Sequence, residues 1–105
     1  IGDAKSLIRF VKAVDHKWFG VNLDTGNFRT ANPYVDMAAA APFAVNVQLK
    51  VELKIDGQHK PADLGRVANI LRKANYQGYV VLEYEAKEDP YTAVPPFLNK
   101  LRAVL

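Results

Sequence analysis

The sequence predicts an α/β fold in which parallel strands alternate with helices, and three observations carry that expectation. Helical and strand-like apolar patterns follow one another in the order helix, strand, helix, strand, helix, strand, helix. Regular alternation of this kind implies parallel strands joined by right-handed crossovers. Each strand-like run also starts apolar and turns polar toward its C-terminal end. The run "VVLEYEAKEDP" (80–90) is the clearest case, with Glu83 and Glu85 following Val80, Val81 and Leu82. Side chains two apart on a strand share a face, so two carboxylates finish a strand that begins like a buried one.

The elements follow in order. In "DAKSLIRFVKAV" (3–14), Leu7, Ile8, Phe10, Val11 and Val14 have helical spacing and Asp3 suits the cap. "WFGVNLD" (18–24) reads as a short strand that "TGN" interrupts. Pro33 opens a helix through "YVDMAAAA", and Pro42 ends it. "FAVNVQLKVELK" (43–54) reads as one longer strand and "DGQHKP" as a loop. "ADLGRVANILRKAN" (62–75) is an amphipathic helix on Leu64, Val67, Ile70 and Leu71, and "GYVVLEYE" (78–85) is the third strand. A last helix starts at Asp89 and Pro90, with an irregularity expected at Pro95-Pro96.

Composition bounds the function. At 105 residues, half of them hydrophobic, the chain suits one small domain and excludes a disordered or fibrous protein. No repeat, low-complexity tract or linker divides it. No apolar run approaches the roughly 20 residues that cross a bilayer. The absence of cysteine removes disulfides and thiolate metal sites. A net charge of +3, with Lys and Arg scattered among carboxylates, lacks the clustered basic stripe of a nucleic-acid surface. Nucleic acid and membrane are therefore not expected as partners, and a cytoplasmic location is. The chain starts at Ile1 rather than Met, with no leader-like segment before the first helix, which suggests that its natural start lies upstream.

The polar residues share one position. Asn22 and Asp24 end the first strand; Asn46, Gln48 and Lys50 lie two apart on the second; Glu83 and Glu85 end the third. At the C-terminal ends of parallel strands, α/β proteins bind their ligands. Each residue also has a plainer reading. Asp24 before Thr25-Gly26 suits a turn, and Asn46 and Gln48 suit satisfied core amides. Lys50 can pair with Glu52 or Glu83 or reach solvent along its stem, Glu85 suits the rim, and His16 and His59 suit exposed positions. Convergence at one end favours a site.

"GVNLDTGNF", "AVNVQLKVEL" and "GYVVLEYEAKEDP" resemble the last three strands of the sugar isomerase/epimerase superfamily, the xylose-isomerase-like (β/α)8 barrels. The likeness runs from about Ile8 to Leu105. It implies that residues 1–105 form a single partial domain, the C-terminal part of a TIM barrel whose N-terminal strands are absent, since a complete barrel takes roughly 250 residues. It also implies a divalent metal at the strand ends, held here by Asp24, Gln48 and Glu83, with Glu83 also moving a proton.

Gln48 stands where the family usually has a histidine ligand, and Asn27 where a second histidine is found. A neutral amide oxygen favours Mg²⁺ or Mn²⁺ over Zn²⁺. The family's other metal-binding glutamate falls upstream of Ile1.

The implied function is a metal-dependent isomerase or epimerase of a sugar, sugar phosphate or other hydroxy-ketone, working by proton transfer beside a carbonyl. Glu83 is the catalytic residue; Lys50, Asn46 and His59 (the last from its loop) bind substrate. The alternative is a sugar-binding barrel domain without its metal. The DNA-repair endonuclease branch of the superfamily needs several histidines, and this chain has two. Alone, the chain is expected to be inactive and to oligomerise, or to associate with the missing N-terminal part, because cut barrels expose strand edges.

Overall fold

A computed structural model describes residues 1–105. Helix α1 (Ala4–Val14) starts where predicted: the Asp3 carboxylate accepts a hydrogen bond from Ser6 N at 2.7 Å, and the chain leaves through Asp15 in a left-handed conformation. Strand β1 is Val21–Asp24, shorter than the expected 18–24. Trp18 precedes it, largely exposed, in a turn after the helix. Pro33 occupies the first turn of α2 (Pro33–Ala40). Pro42 then sits in a 3-10 turn, Ala41–Phe43, that tightens the exit into β2 (Ala44–Lys50).

The expected strand over 43–54 is two strands, and the expected loop after it is half of a hairpin. The chain bends at Val51, then β3 (Glu52–Ile55) pairs antiparallel with β4 (Gln58–Pro61). Asp56 (φ 50°) and Gly57 (φ 77°) make the turn. Two successive positive φ values are what a tight two-residue hairpin requires, and Asp-Gly is the sequence that supplies them. Leu49, Val51 and Leu53 are all buried, so the apolar alternation passes through the bend without marking it. Gly57→Val is expected to cost roughly 1–2 kcal/mol, the penalty for a side chain at left-handed φ. A lowered thermal midpoint with unchanged helix signal would measure it.

Helix α3 (Leu64–Lys73) is capped by the Asp63 carboxylate, which accepts from Arg66 N at 2.9 Å. Strand β5 is Val80–Glu83, so Glu85 falls just beyond the strand. Helix α4 (Pro90–Val104) runs through Pro95 and Pro96 without a break. Those prolines leave the carbonyls of Tyr91 and Thr92 without their helical donors, and both residues are exposed, so water takes the place of the missing bonds.

The three parallel strands lie in the order β1-β2-β5. Val21, Leu23, Val47 and Leu49 face the helices and join Met37, Val67, Leu71 and Leu101 in one core. The register pairs Val47 with Val80 and Leu49 with Leu82, which puts the apolar half of β5 on the same side. The opposite face carries Asn22, Asp24, Asn46, Gln48, Lys50, Val81 and Glu83 and is not covered by any helix. Strands β1 and β5 each pair on one side only, leaving both outer edges of the sheet open.

Candidate active site

Parallel pairing assembles the polar cluster. Register places Asp24 beside Gln48 and Lys50 beside Glu83, all on the uncovered face at the C-terminal ends of the strands. Lys50 is at its centre. Its Nζ lies 2.6 Å from Glu85 Oε2, 3.2 Å from Glu83 Oε2 and 3.7 Å from Asp24 Oδ2. The side chains of Lys50 and Asp24 are only 13% and 11% exposed, against 60% for Glu85. Glu52, one of the partners expected for Lys50, faces His59 instead. The Glu83 contact is an ion pair without hydrogen-bond alignment, and Glu83 Oε2 is a buried oxygen with no donor.

Asp24 closes the turn expected of it. Its Oδ1 accepts from Gly26 N at 2.9 Å and its Oδ2 from Asn27 Nδ2 at 3.0 Å, a side-chain-closed turn. The same carboxylate faces Lys50. Two residues that the sequence did not single out seat the lysine. Thr25, 1% exposed, accepts from Lys50 N at 2.9 Å through its hydroxyl and donates its own N–H to the Gln48 carbonyl. Gly26 makes room for the lysine stem, since a Cβ there would stand 2.6 Å from Lys50 Cδ. Thr25 is the one polar side chain wholly inside, and no sequence pattern marks it.

Asn46 and Gln48 are tied into a chain of amides on the open face. Asn46 Nδ2 donates to Asn22 Oδ1 at 2.9 Å, and Asn22 Nδ2 donates to Gln48 Oε1 at 2.7 Å. His59 is not in the cluster. It stands on β4, with its side chain 71% exposed and Nδ1 3.8 Å from Glu52 Oε2. It does line, with Lys50 and Glu85, a cleft of about 630 Å³ between the loop after β1 and the hairpin. The cleft's other walls include Arg29, Thr30, Lys54 and Asp56.

The three expected metal ligands do not form a cation site as they stand. Gln48 Oε1 is engaged by Asn22, Asp24 is engaged by the turn, and an ammonium lies between Asp24 and Glu83. No three His, Cys, Asp or Glu side chains gather closely enough to hold an ion.

Burial by itself pulls the Lys50 pKa down, but the hydrogen bond to Glu85 and the nearby charges of Glu83 and Asp24 outweigh it, and the ammonium is held above its ordinary 10.5. A group whose pKa rises on folding contributes stability in full below its unfolded value and loses it as pH climbs through the folded one. Wild type is therefore expected to lose stability above about pH 10.5 more steeply than Lys50→Met. Tyr76, which burial also pushes up, is common to both proteins. Urea midpoints between neutral pH and pH 11 would give the difference, and parallel curves would contradict it.

Parallel strands backed by helices, with an ionised cluster and a cleft at their C-terminal ends, define the class as part of an α/β barrel. The model of the xylose isomerase-like TIM barrel family matches residues 1–101, and the chain belongs to that family. No curated protein matches the chain. No helix is long and apolar enough to cross a membrane.

Proposed function

We propose that this chain carries part of the active site of a sugar isomerase or epimerase, which moves a proton beside the carbonyl of a hydroxy-ketone. The family points to that reaction class. One observation supports it most: Glu83 Oε2 is buried, lacks a donor and lies 3.2 Å from an ammonium. The Glu83 side chain as a whole is 34% exposed, and a carboxylate so placed at the open end of the sheet is suited to accept a carbon-bound proton.

In this reading Glu83 takes the proton from the carbon next to the carbonyl, and the electron pair moves onto the carbonyl oxygen. Lys50 stabilises the charge that develops there. Returning the proton to the former carbonyl carbon, while the hydroxyl proton passes from the neighbouring oxygen to the enediolate oxygen, isomerises the sugar; protonation of the original carbon by an acid on its opposite face, with the carbonyl re-forming, epimerises it. The amides of Asn22, Asn46 and Gln48 suit hydroxyl groups, and the cleft by His59 takes the remainder of the substrate. The outer edges of β1 and β5 take up further strands of the barrel.

The test is solvent isotope exchange. Ketoses and their phosphates, incubated in deuterated water with the complete barrel that contains this chain, are expected to gain deuterium at the carbon beside the carbonyl. A second reading, a sugar-binding barrel without catalysis, draws on the amide chain of the open face. It is favoured if sugars bind but no deuterium enters.

A further inference from the structure

The centre of the carboxylate cluster, where the resemblance would put a metal, is filled by the protein itself. Lys50 Nζ is within 4 Å of oxygens from Asp24, Glu83 and Glu85. Its position is built rather than accidental. The backbone N–H is fixed by the buried Thr25 hydroxyl, the stem crosses a glycine that leaves it room, and the head is almost withdrawn from water.

The donor set agrees. Hard divalent cations need six or more oxygens at roughly 2.0–2.6 Å. This chain offers one little-exposed carboxylate, Asp24, one about a third exposed, Glu83, an exposed one, Glu85, and an amide oxygen already occupied by Asn22. A cation placed between Asp24 and Glu83 would lie against the ammonium. Like charges at that range repel strongly in a poorly solvated site.

We propose that the Lys50 ammonium is the resident cation of this site, ion-paired with Asp24, Glu83 and Glu85 and keeping Mg²⁺ and Mn²⁺ from binding among them. The disagreement with the family's metal then has a cause in one residue. Removing the ammonium should convert the same carboxylates into a metal site.

The experiment is a Mn²⁺ titration followed by electron paramagnetic resonance, on wild type, Asp24→Asn, Lys50→Met, and Lys50→Met combined with Asp24→Asn. Circular dichroism would confirm that each is folded. Wild type is expected to leave the free Mn²⁺ signal unchanged, apart from weak nonspecific loss at millimolar metal. Lys50→Met is expected to bind one Mn²⁺ at least about tenfold more tightly, as removal of a charge in contact with the ion allows, and the double variant to lose that gain.

A folded Lys50→Met with no gain overturns the proposal. So does stoichiometric, tight Mn²⁺ binding by wild type that Asp24→Asn abolishes. If Lys50→Met does not fold, the wild-type and Asp24→Asn titrations decide: tight binding lost in Asp24→Asn refutes the proposal, and its absence supports it. No sugar is present, so the result is independent of whether the carbonyl chemistry occurs.

Discussion

In the complete barrel, Glu83→Gln is expected to lower turnover of the hydroxy-ketone substrate by roughly 10²–10⁴-fold, the usual contribution of a general base. The amide has nearly the same shape but cannot take up the proton, and it withdraws one of the charges facing Lys50. The loss should appear in kcat, with deuterium entry falling in parallel, because the base acts in the proton-transfer step. Glu85→Gln should lower turnover much less. Glu85 makes the shortest contact to Lys50, but its side chain is 60% exposed, and pairs so open to water contribute little. Steady-state assays and isotope exchange on the two variants would check the assignment. If Glu85→Gln were the damaging change and Glu83→Gln kept near-normal activity, the proton would be moved by the wrong residue in this scheme.

Leu49→Ala is expected to destabilise the fold by about 2–5 kcal/mol. Leu49 is completely buried on the central strand, next to Leu82 across the register and inside the cluster that joins the sheet to the helices. Truncating it removes buried methyl groups and leaves a cavity that the flanking strands cannot close without shifting the register that aligns Lys50 with Glu83. Loss of this size is a large part of the stability of an ordinary small domain. Urea denaturation would measure it. A loss below about 1 kcal/mol would mean that the sheet is held mainly by something other than this core.

The sequence made the scaffold legible because its signals are local. The helical spacing in α1 and α3 and the aspartates that cap α1, α3 and α4 are decided within a few residues of chain. The strand order and the shared face of Asp24, Gln48 and Glu83 follow from alternation and parity. The hairpin was hidden because Leu49, Val51 and Leu53 keep the same buried alternation on both sides of the bend. Asp56-Gly57 was visible as a turn, but the return strand "QHKP" has no apolar face to announce it; all four of its residues are exposed.

Within the site, the chain could show which polar residues converge but not how they share partners. Gln48 is taken by Asn22, 26 positions away, and Lys50 by Glu85, 35 positions away from a segment past the strand end. Such choices are made by three-dimensional distance and by competition among donors. Periodicity carries no trace of them.

The hairpin divides the cleft into parts that are free to change at different rates. Leu53 anchors it in the core, while Lys54, Asp56 and His59 form the outward wall and are exposed. The floor, Lys50 with its carboxylates, is fixed by backbone register and by Thr25. Substitutions in the wall touch neither the core nor the cluster, so under the proposed function the fit to a substrate's tail can change without disturbing the reacting end. Wall and floor are separate pieces of a single short chain, with Val51 as the joint between them.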